Sequence, residues 1–134
     1  MDERIIIEKL KQLMNKATKK NEVPVACIIT KDNKIIAKAY NKTNKTNNIL
    51  DHAEIIAIKK ASKRLHNWRL NDCKMYISLE PCSMCKEIIK KSRLSEVIYY
   101  SKQNNNKTER NINYKYINNN DISGKLTNFF KELR

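Results

Sequence analysis

The amino-acid sequence predicts one layered α/β domain. Helical and strand-like segments alternate along the chain, which is the pattern that packs helices against a central sheet. The length of 134 residues lies within the usual size of a single domain. Neither internal repeats nor a linker rich in proline and glycine divides the chain. We therefore expect residues 1–134 to form one domain.

The first half of the chain predicts a helix, a hairpin and a second helix. Apolar residues recur at helical spacing from Glu3 to Lys19. Two strands, Val23 to Thr30 and Lys34 to Tyr40, flank a Lys-Asp-Asn turn and form an antiparallel hairpin. The polar residues 41–49 predict a loop, and the next helix extends from Ala53 to Leu65.

The second half continues the alternation. Cys73 to Leu79 predicts a strand, Ser83 to Ser92 a helix and Glu96 to Tyr100 another strand. Asn113 to Ile117 is a candidate fifth strand, and Ser123 to Leu133 predicts the final helix. The sheet should therefore have about five strands.

Four residues in the middle of the chain have the spacing of a catalytic zinc site. His52 and Glu54 stand two apart, and Cys82 and Cys85 follow a proline at the start of a helical pattern. Catalytic zinc takes three protein ligands and leaves a fourth position for water, so His52, Cys82 and Cys85 are the candidate ligands. Positions i and i+3 share a helix face, and the positive end of the helix favours thiolate. Glu54 is left for proton transfer, and Asp51 is the expected N-cap of the helix that follows.

Each part of this pattern has a simpler interpretation. A Cys-x-x-Cys pair occurs in structural zinc knuckles and in redox sites, and His-x-Glu occurs by chance on solvated helices. A structural site would need a fourth ligand, whereas Cys27 and Cys73 lie in apolar segments typical of inert buried thiols. A cysteine nucleophile needs a free thiolate, and two close cysteines with a histidine favour metal coordination instead. The combined pattern favours catalytic zinc.

Residues 79–85, Leu-Glu-Pro-Cys-Ser-Met-Cys, with His-Ala-Glu at 52–54, resemble the cytidine-deaminase-like superfamily. Within it, the chain is similar to the bacterial tRNA adenosine deaminases. The similarity extends from about Glu22 to Tyr100 and weakens after it. The resemblance implies a three-layer α/β/α fold with a central mixed sheet of about five strands, folded as a single zinc-dependent deaminase domain over residues 1–134.

The resemblance also implies an activity and its residues. The expected reaction is zinc-dependent hydrolytic deamination of adenosine to inosine at the wobble position of tRNA, with Glu54 as acid and base. The segment Glu-Val-Pro-Val-Ala at 22–26 resembles the first strand of the family, and Asn41 matches an asparagine that contacts the substrate. Substrate contacts are therefore expected from Pro24, from the Asn41 side chain and from the backbone N–H of Ala53.

The charge of the chain indicates a polyanionic partner or a coding bias. With 28 Lys plus Arg against 14 Asp plus Glu, the net charge is +14, which would attract nucleic acid. A coding bias toward A and T would also enrich Lys, Asn and Ile, and composition alone does not separate the two. The resemblance implies a tRNA anticodon stem-loop as partner and a homodimer. Candidate cations around the mouth of the site are Lys42, Lys45, Lys102, Lys107, Lys131 and Arg134.

Other functions receive little support. Gly124 is the only glycine, so neither a phosphate-binding P-loop nor a dinucleotide fingerprint is present, and no nucleotide cofactor is expected. The longest apolar runs are strand-sized, and the N-terminus does not resemble a signal peptide, so we expect a cytoplasmic protein without a membrane partner. Trp68 is expected in the core, whereas Phe129 or Phe130 could stack on RNA bases.

Two alternatives remain at this point. One is a deaminase of a free base or nucleoside, such as cytosine or guanine, which would share the metal motif. The other is an inactive zinc-containing RNA-binding subunit, which the presence of Glu54 disfavours.

Overall fold

The computed structural model describes residues 2–103 and 113–132. The helices are α1 (Glu3–Lys19), α2 (Thr43–Thr46), α3 (Ala53–Leu65), α4 (Ser83–Lys91) and α5 (Asn120–Glu132). The strands are β1 (Ala26–Lys31), β2 (Lys34–Tyr40), β3 (Cys73–Ile77), β4 (Glu96–Tyr99) and β5 (Asn113–Tyr116). Of the predicted cations around the site, Lys107 and Arg134 lie outside the described residues, as does Leu133 at the end of the predicted final helix.

The five strands form one mixed sheet in the order β2-β1-β3-β4-β5. Strand β1 pairs antiparallel with β2 and with β3, whereas β3–β4 and β4–β5 are parallel. Helix α4 provides the crossover between β3 and β4, as parallel neighbours require. The expected mixed sheet of five strands is confirmed, including the strand at 113–116.

Two hydrophobic clusters cover the opposite faces of this sheet. Side chains of a strand alternate between faces, so Cys27 and Ile29 pack under α3 and α4, while Ala26 and Ile28 pack under α1 and α5. The apolar stripe of α1 is buried in the second cluster together with Ile122 and Leu126 of α5. This arrangement is the three-layer α/β/α fold that was expected.

The β1–β2 hairpin is closed by Asp32 and Asn33. Both residues have positive φ, 51° and 61°, which is the backbone of the two-residue hairpin turn that matches strand twist. Asp and Asn tolerate this conformation better than most residues. The predicted turn is therefore confirmed with a physical reason for its sequence.

Several predicted boundaries are wrong by a few residues. Strand β1 begins at Ala26 rather than at Val23, since Pro24 has no N–H to donate to a ladder. Helix α5 begins at Asn120 rather than at Ser123, because the Asn119 side chain accepts a hydrogen bond from the Ile122 N–H at 3.0 Å. Both errors arise at element ends.

The segment predicted as a polar loop at 41–49 contains the short helix α2. The buried carboxylate of Glu22 accepts hydrogen bonds from the N–H groups of Asn44 and Lys45 at 3.0 and 2.9 Å. This acceptor, distant in the chain, satisfies amides at the start of the helical turn, and its negative charge interacts favourably with their partial positive charge. A window of sequence around residues 41–49 does not contain that information.

Two further predictions are corrected. His52, not Asp51, is the N-cap of α3, and its carbonyl accepts the first helical bond from Ile56 at 3.1 Å. Asp51 lies one residue earlier, where its backbone closes the 42–51 loop through bonds to Lys42 and Asn48. Trp68 is 54% exposed rather than buried. Across the described part of the chain, no helix combines the length and the apolar character needed to cross a membrane.

Candidate active site

The three predicted metal ligands meet where two helices begin. His52 is the N-cap of α3, Cys82 is the N-cap of α4, and Cys85 lies in the first turn of α4. The Nδ1 atom of His52 lies 3.4 Å from the Sγ atom of Cys85 and 3.9 Å from the Sγ atom of Cys82. The fold thus brings His52 to Cys82 and Cys85, which lie 30 and 33 positions later in the chain.

This arrangement of donor atoms fits zinc. Tetrahedral zinc with bonds of about 2.0 Å to nitrogen and about 2.3 Å to sulfur separates such donors by roughly 3.5 to 3.8 Å. The three ligand atoms all lie within 4.8 Å of one another, and the His-Cys-Cys set leaves one coordination position open. Among residues 2–103 and 113–132, no second group of three or more potential ligands is present. The structure therefore contains one site suited to a catalytic metal within its described part.

The beginning of α4 stabilises a thiolate at Cys82. A hydrogen bond from the Cys85 thiol and bonds from the backbone N–H groups of Cys85 and Met84 lower the pKa of Cys82 to about 5. Cys85 donates the first of these bonds and is more buried, so its own pKa is raised. These bonds favour the thiolate form of Cys82, which is the form that binds a metal.

Glu54 lies in the first turn of α3 and is only 3% exposed. Its Oε1 atom has no hydrogen-bond partner among the described residues, although the atom is fully buried. Burial raises the pKa of this carboxyl group, because removal from water disfavours the charged form. A buried carboxyl group with a free oxygen beside three metal ligands is suited to proton transfer.

A cavity of about 270 Å³ opens onto this group. His52, Glu54 and Cys82 form part of its wall, and Asn41 and Thr43 line another part. Six further residues line the cavity: Val23, Val25, Leu79, Glu80, Gln103 and Phe130. Of these, only Phe130 was predicted from the sequence as a functional residue. They come from four separate segments, so no local pattern marks them as neighbours.

The three expected substrate contacts differ in position. Asn41 lines the cavity, and its Oδ1 atom accepts a hydrogen bond from the Ala53 N–H at 2.8 Å. The Ala53 side chain is fully buried. Pro24 is buried too, but Val23 and Val25 line the cavity in its place, and the Pro24 carbonyl accepts a bond from the Ser78 hydroxyl at 3.3 Å. Direct substrate contact by Asn41, Pro24 and Ala53 stays a prediction.

The mouth of the cavity combines aromatic and basic side chains. Phe130 lines it, is 46% exposed and packs edge-on against Phe129 at a ring distance of 5.5 Å. Next to cavity residues in the chain, Lys42 lies over the partly buried Tyr40 ring at 5.2 Å, and Lys102 lies over the exposed Tyr116 ring at 4.6 Å. This composition suits contact with a polyanion that also carries flat rings.

The model of the MafB19-like deaminase family matches residues 1–134. The chain belongs to the MafB19-like deaminase family. Deamination, the activity in the name of the family, agrees with the candidate metal ligands and the buried glutamate described above. The predicted deaminase character is thereby confirmed.

Curated relatives of this deaminase carry a more specific name. A tRNA-specific adenosine deaminase from Rickettsia bellii (strain RML369-C) is 44% identical over 101 residues, covering 73% of this chain and 70% of the relative. One from Aquifex aeolicus (strain VF5) is 33% identical over 132 residues, covering 89% and 87%. The match to a Streptococcus pyogenes relative of the same name, 39% identical, spans about half (53%) of that protein.

Solved structures of similar proteins support the same fold. A chain from a study of A-to-I editing by tRNA:A34 deaminases has a TM-score of 0.78 and 25% identity, covering 87% of this deaminase and 100% of that chain. A guanine deaminase from Bacillus subtilis has a TM-score of 0.72 and 25% identity, covering 98% and 95%. The predicted cytidine-deaminase-like fold is confirmed by these neighbours.

Proposed function

We propose that this deaminase converts adenosine to inosine at the wobble position of tRNA by zinc-dependent hydrolysis. The observation that carries the proposal is the buried Glu54 carboxyl group, which faces the same cavity as His52 and Cys82. The relatives named tRNA-specific adenosine deaminases support the choice of substrate.

His52, Cys82 and Cys85 would hold the zinc ion. When bound, zinc supplies a water nucleophile that is activated at neutral pH. Each ligand is fixed by backbone structure, since two of them cap helices and the third lies in a first turn. The backbone at each ligand position is therefore set by the start of a helix.

Glu54 moves the protons of the reaction. It accepts a proton from the attacking water and delivers that proton to N1 of the purine, while the water oxygen bonds to C6. The bond from C6 to the exocyclic nitrogen then breaks, and the hydroxyl proton leaves with the amine as ammonia by way of the same carboxylate. One water is consumed, and inosine and ammonia are released.

The size of the cavity favours a single inserted base. A volume of about 270 Å³ is at the small end of ligand pockets, so the sugar and the neighbouring nucleotides would stay outside. Bases of an anticodon loop are unpaired and are turned out of the stack at low cost. Phe130, together with Lys42 and Lys102 beside the cavity, would contact the rest of an anticodon stem-loop.

The proposed assembly is a homodimer acting in the cytoplasm on tRNA, with no membrane or nucleotide cofactor. Ile49 and Leu50, which stand three and two residues before the candidate metal ligand His52, are both strongly exposed. Exposed apolar residues beside a site are typical of surfaces that a partner covers. Light scattering at several protein concentrations would measure the mass, and a monomer at every concentration would contradict the homodimer.

The decisive experiment compares substrates on the purified zinc-loaded protein. Inosine and ammonia formation would be measured with an anticodon stem-loop carrying adenosine at the wobble position, and with free adenosine, cytosine and guanine. Turnover of the stem-loop alone is expected. Turnover of only a free base or nucleoside would instead favour the alternative of a free-base or nucleoside deaminase, a class that includes the guanine deaminase of similar fold. No turnover of any of the four would favour an inactive RNA-binding subunit.

A further inference from the structure

A buried ion pair lies beside the cavity and is used by none of the steps above. Lys86 on α4 and Glu80, in the segment between β3 and α4, are 7% and 12% exposed. The Lys86 Nζ atom donates to the Glu80 Oε2 atom at 3.1 Å. It also lies 5.6 Å from the centre of the Tyr114 ring on β5, a geometry that favours a cation.

Glu80 holds the segment that follows β4 by two bonds. Its backbone N–H donates to the Ser101 carbonyl at 2.8 Å, and its Oε1 atom accepts from the Gln103 N–H at 3.3 Å. Glu80 and Gln103 both line the cavity. The carboxylate therefore connects the metal-bearing helix, through Lys86, to the opposite wall of the site.

We propose that Lys86 and Glu80 are positioning residues that fix Gln103 in the cavity wall and so set the affinity for the substrate base. This inference rests on the proposed function for its kinetic consequence, but not for its structural one. Lys86 touches none of the reacting atoms and acts through Glu80.

Gln103 depends on Lys86 because a buried charge without its ion-pair partner is energetically unfavourable. A buried carboxylate that loses its cation is strongly destabilised, and it turns toward water or takes up a proton. Either change removes the acceptor of the Gln103 N–H, so Gln103 is no longer held, whereas the backbone bond from the Glu80 N–H to the Ser101 carbonyl remains. A neutral amide at position 80 does not carry this cost and still offers an oxygen to the Gln103 N–H.

The first test measures amide hydrogen exchange of Gln103 by NMR in the full zinc-loaded chain. We expect Lys86→Met to speed exchange of this amide about tenfold or more, since hydrogen bonds to charged groups contribute at least that factor. The double variant E80Q/K86M should be slower than K86M, because the acceptor is restored without a buried charge. E80A/K86M, without an acceptor, should exchange as fast as K86M. Lys90→Met, an exposed lysine one turn later on α4, is the matched control and should leave Gln103 unchanged.

The second test measures kcat and KM for the anticodon stem-loop in the same variants. K86M should raise KM by about tenfold with kcat within about twofold, since the metal ligands and Glu54 are untouched. E80Q/K86M should lower KM again relative to K86M, while K90M reports the effect of losing one positive charge on RNA binding. A cobalt-substituted sample should keep the same thiolate absorption in all variants.

Three results would overturn the inference: unchanged Gln103 exchange in K86M, equal exchange in E80Q/K86M and E80A/K86M, or a fall in kcat without a rise in KM. If K86M does not fold, the two double variants decide alone, because they differ only in the acceptor at position 80. Absence of turnover in the wild-type protein would refute the proposed function. The exchange data would still test the role of the ion pair in that case.

Discussion

Replacement of Glu54 by Gln should abolish deamination and leave the zinc site intact. Glutamine has nearly the same volume, but it neither accepts the proton of the attacking water nor delivers it to N1. General acid and base catalysis contributes about 10²- to 10⁴-fold. Because one carboxylate serves successive proton transfers here, we expect a loss near the upper end. A loss of about 10⁴ corresponds to about 5.4 kcal/mol of activation free energy.

The burial of Glu54 also predicts the effect on stability. The side chain is 3% exposed, and burial raises its pKa, so the ionised form is less favourable in the folded protein than in the unfolded chain. Removal of this charge should leave the metal-free Glu54→Gln protein at least as stable as the wild type at neutral pH. A loss of activity in this variant would therefore not come from unfolding.

The assay measures inosine in a stem-loop RNA under single-turnover conditions, with zinc content determined on the same sample. Glu87→Gln is the matched control, since Glu87 is an exposed glutamate on the neighbouring helix α4 and should retain full activity. Activity of Glu54→Gln above about a tenth of wild type, with one zinc per chain, would refute the assigned role, because a shuttle contributes at least about 10²-fold.

The remaining predictions concern the metal, the core and the surface. Cys85→Ser should lose zinc and activity yet keep the circular-dichroism spectrum of the fold, since Cys85 belongs to neither hydrophobic cluster; retention of stoichiometric zinc would contradict its role. Asn41→Ala should lower the free energy of unfolding by about 1–3 kcal/mol in urea titration, because the Ala53 N–H loses its acceptor; an unchanged midpoint would exclude this bond as stabilising. Tyr100→Phe should cost about 1 kcal/mol, since the hydroxyl bonds to Glu3 at 3.2 Å, and a larger loss would indicate a packing defect. Trp68→Ala should change stability by less than about 0.5 kcal/mol, because the ring is exposed; a loss typical of core residues would show that the ring is buried in solution.

The elements with strong periodicity were predictable from sequence. Helix α1 has the predicted bounds, and its apolar stripe is buried as the spacing of Ile6, Leu10 and Leu13 indicates. Helix α3 also begins and ends as predicted. The spacing of apolar residues along a segment indicates which side of a helix or strand is buried, and this spacing can be read from the segment itself.

The errors arose where a distant group satisfies the backbone. Helix α2 depends on hydrogen bonds to the Glu22 carboxylate, which is more than 20 residues earlier in the chain. No local sequence pattern predicts these bonds. Residue preference predicted Asp51 as the N-cap of α3. In the structure the Asp51 carbonyl instead accepts a hydrogen bond from the Lys42 N–H, which closes the loop before the helix. Trp68 follows the last turn of α3. Its ring does not pack in the core, and the Arg69 guanidinium lies over it at 4.4 Å.

The sequence by itself determined the chemistry of this protein. The spacing of His52, Glu54, Cys82 and Cys85 predicted a metal site and a proton shuttle before any coordinates, because ligand type and count restrict the metal and its role. The resemblance of these segments to a known superfamily predicted a deaminase. Only the tertiary structure decided what surrounds that chemistry. The cavity wall, including Gln103 and its support by Lys86 and Glu80, comes from segments that the sheet brings together, and contacts between distant segments leave no periodic trace in the chain.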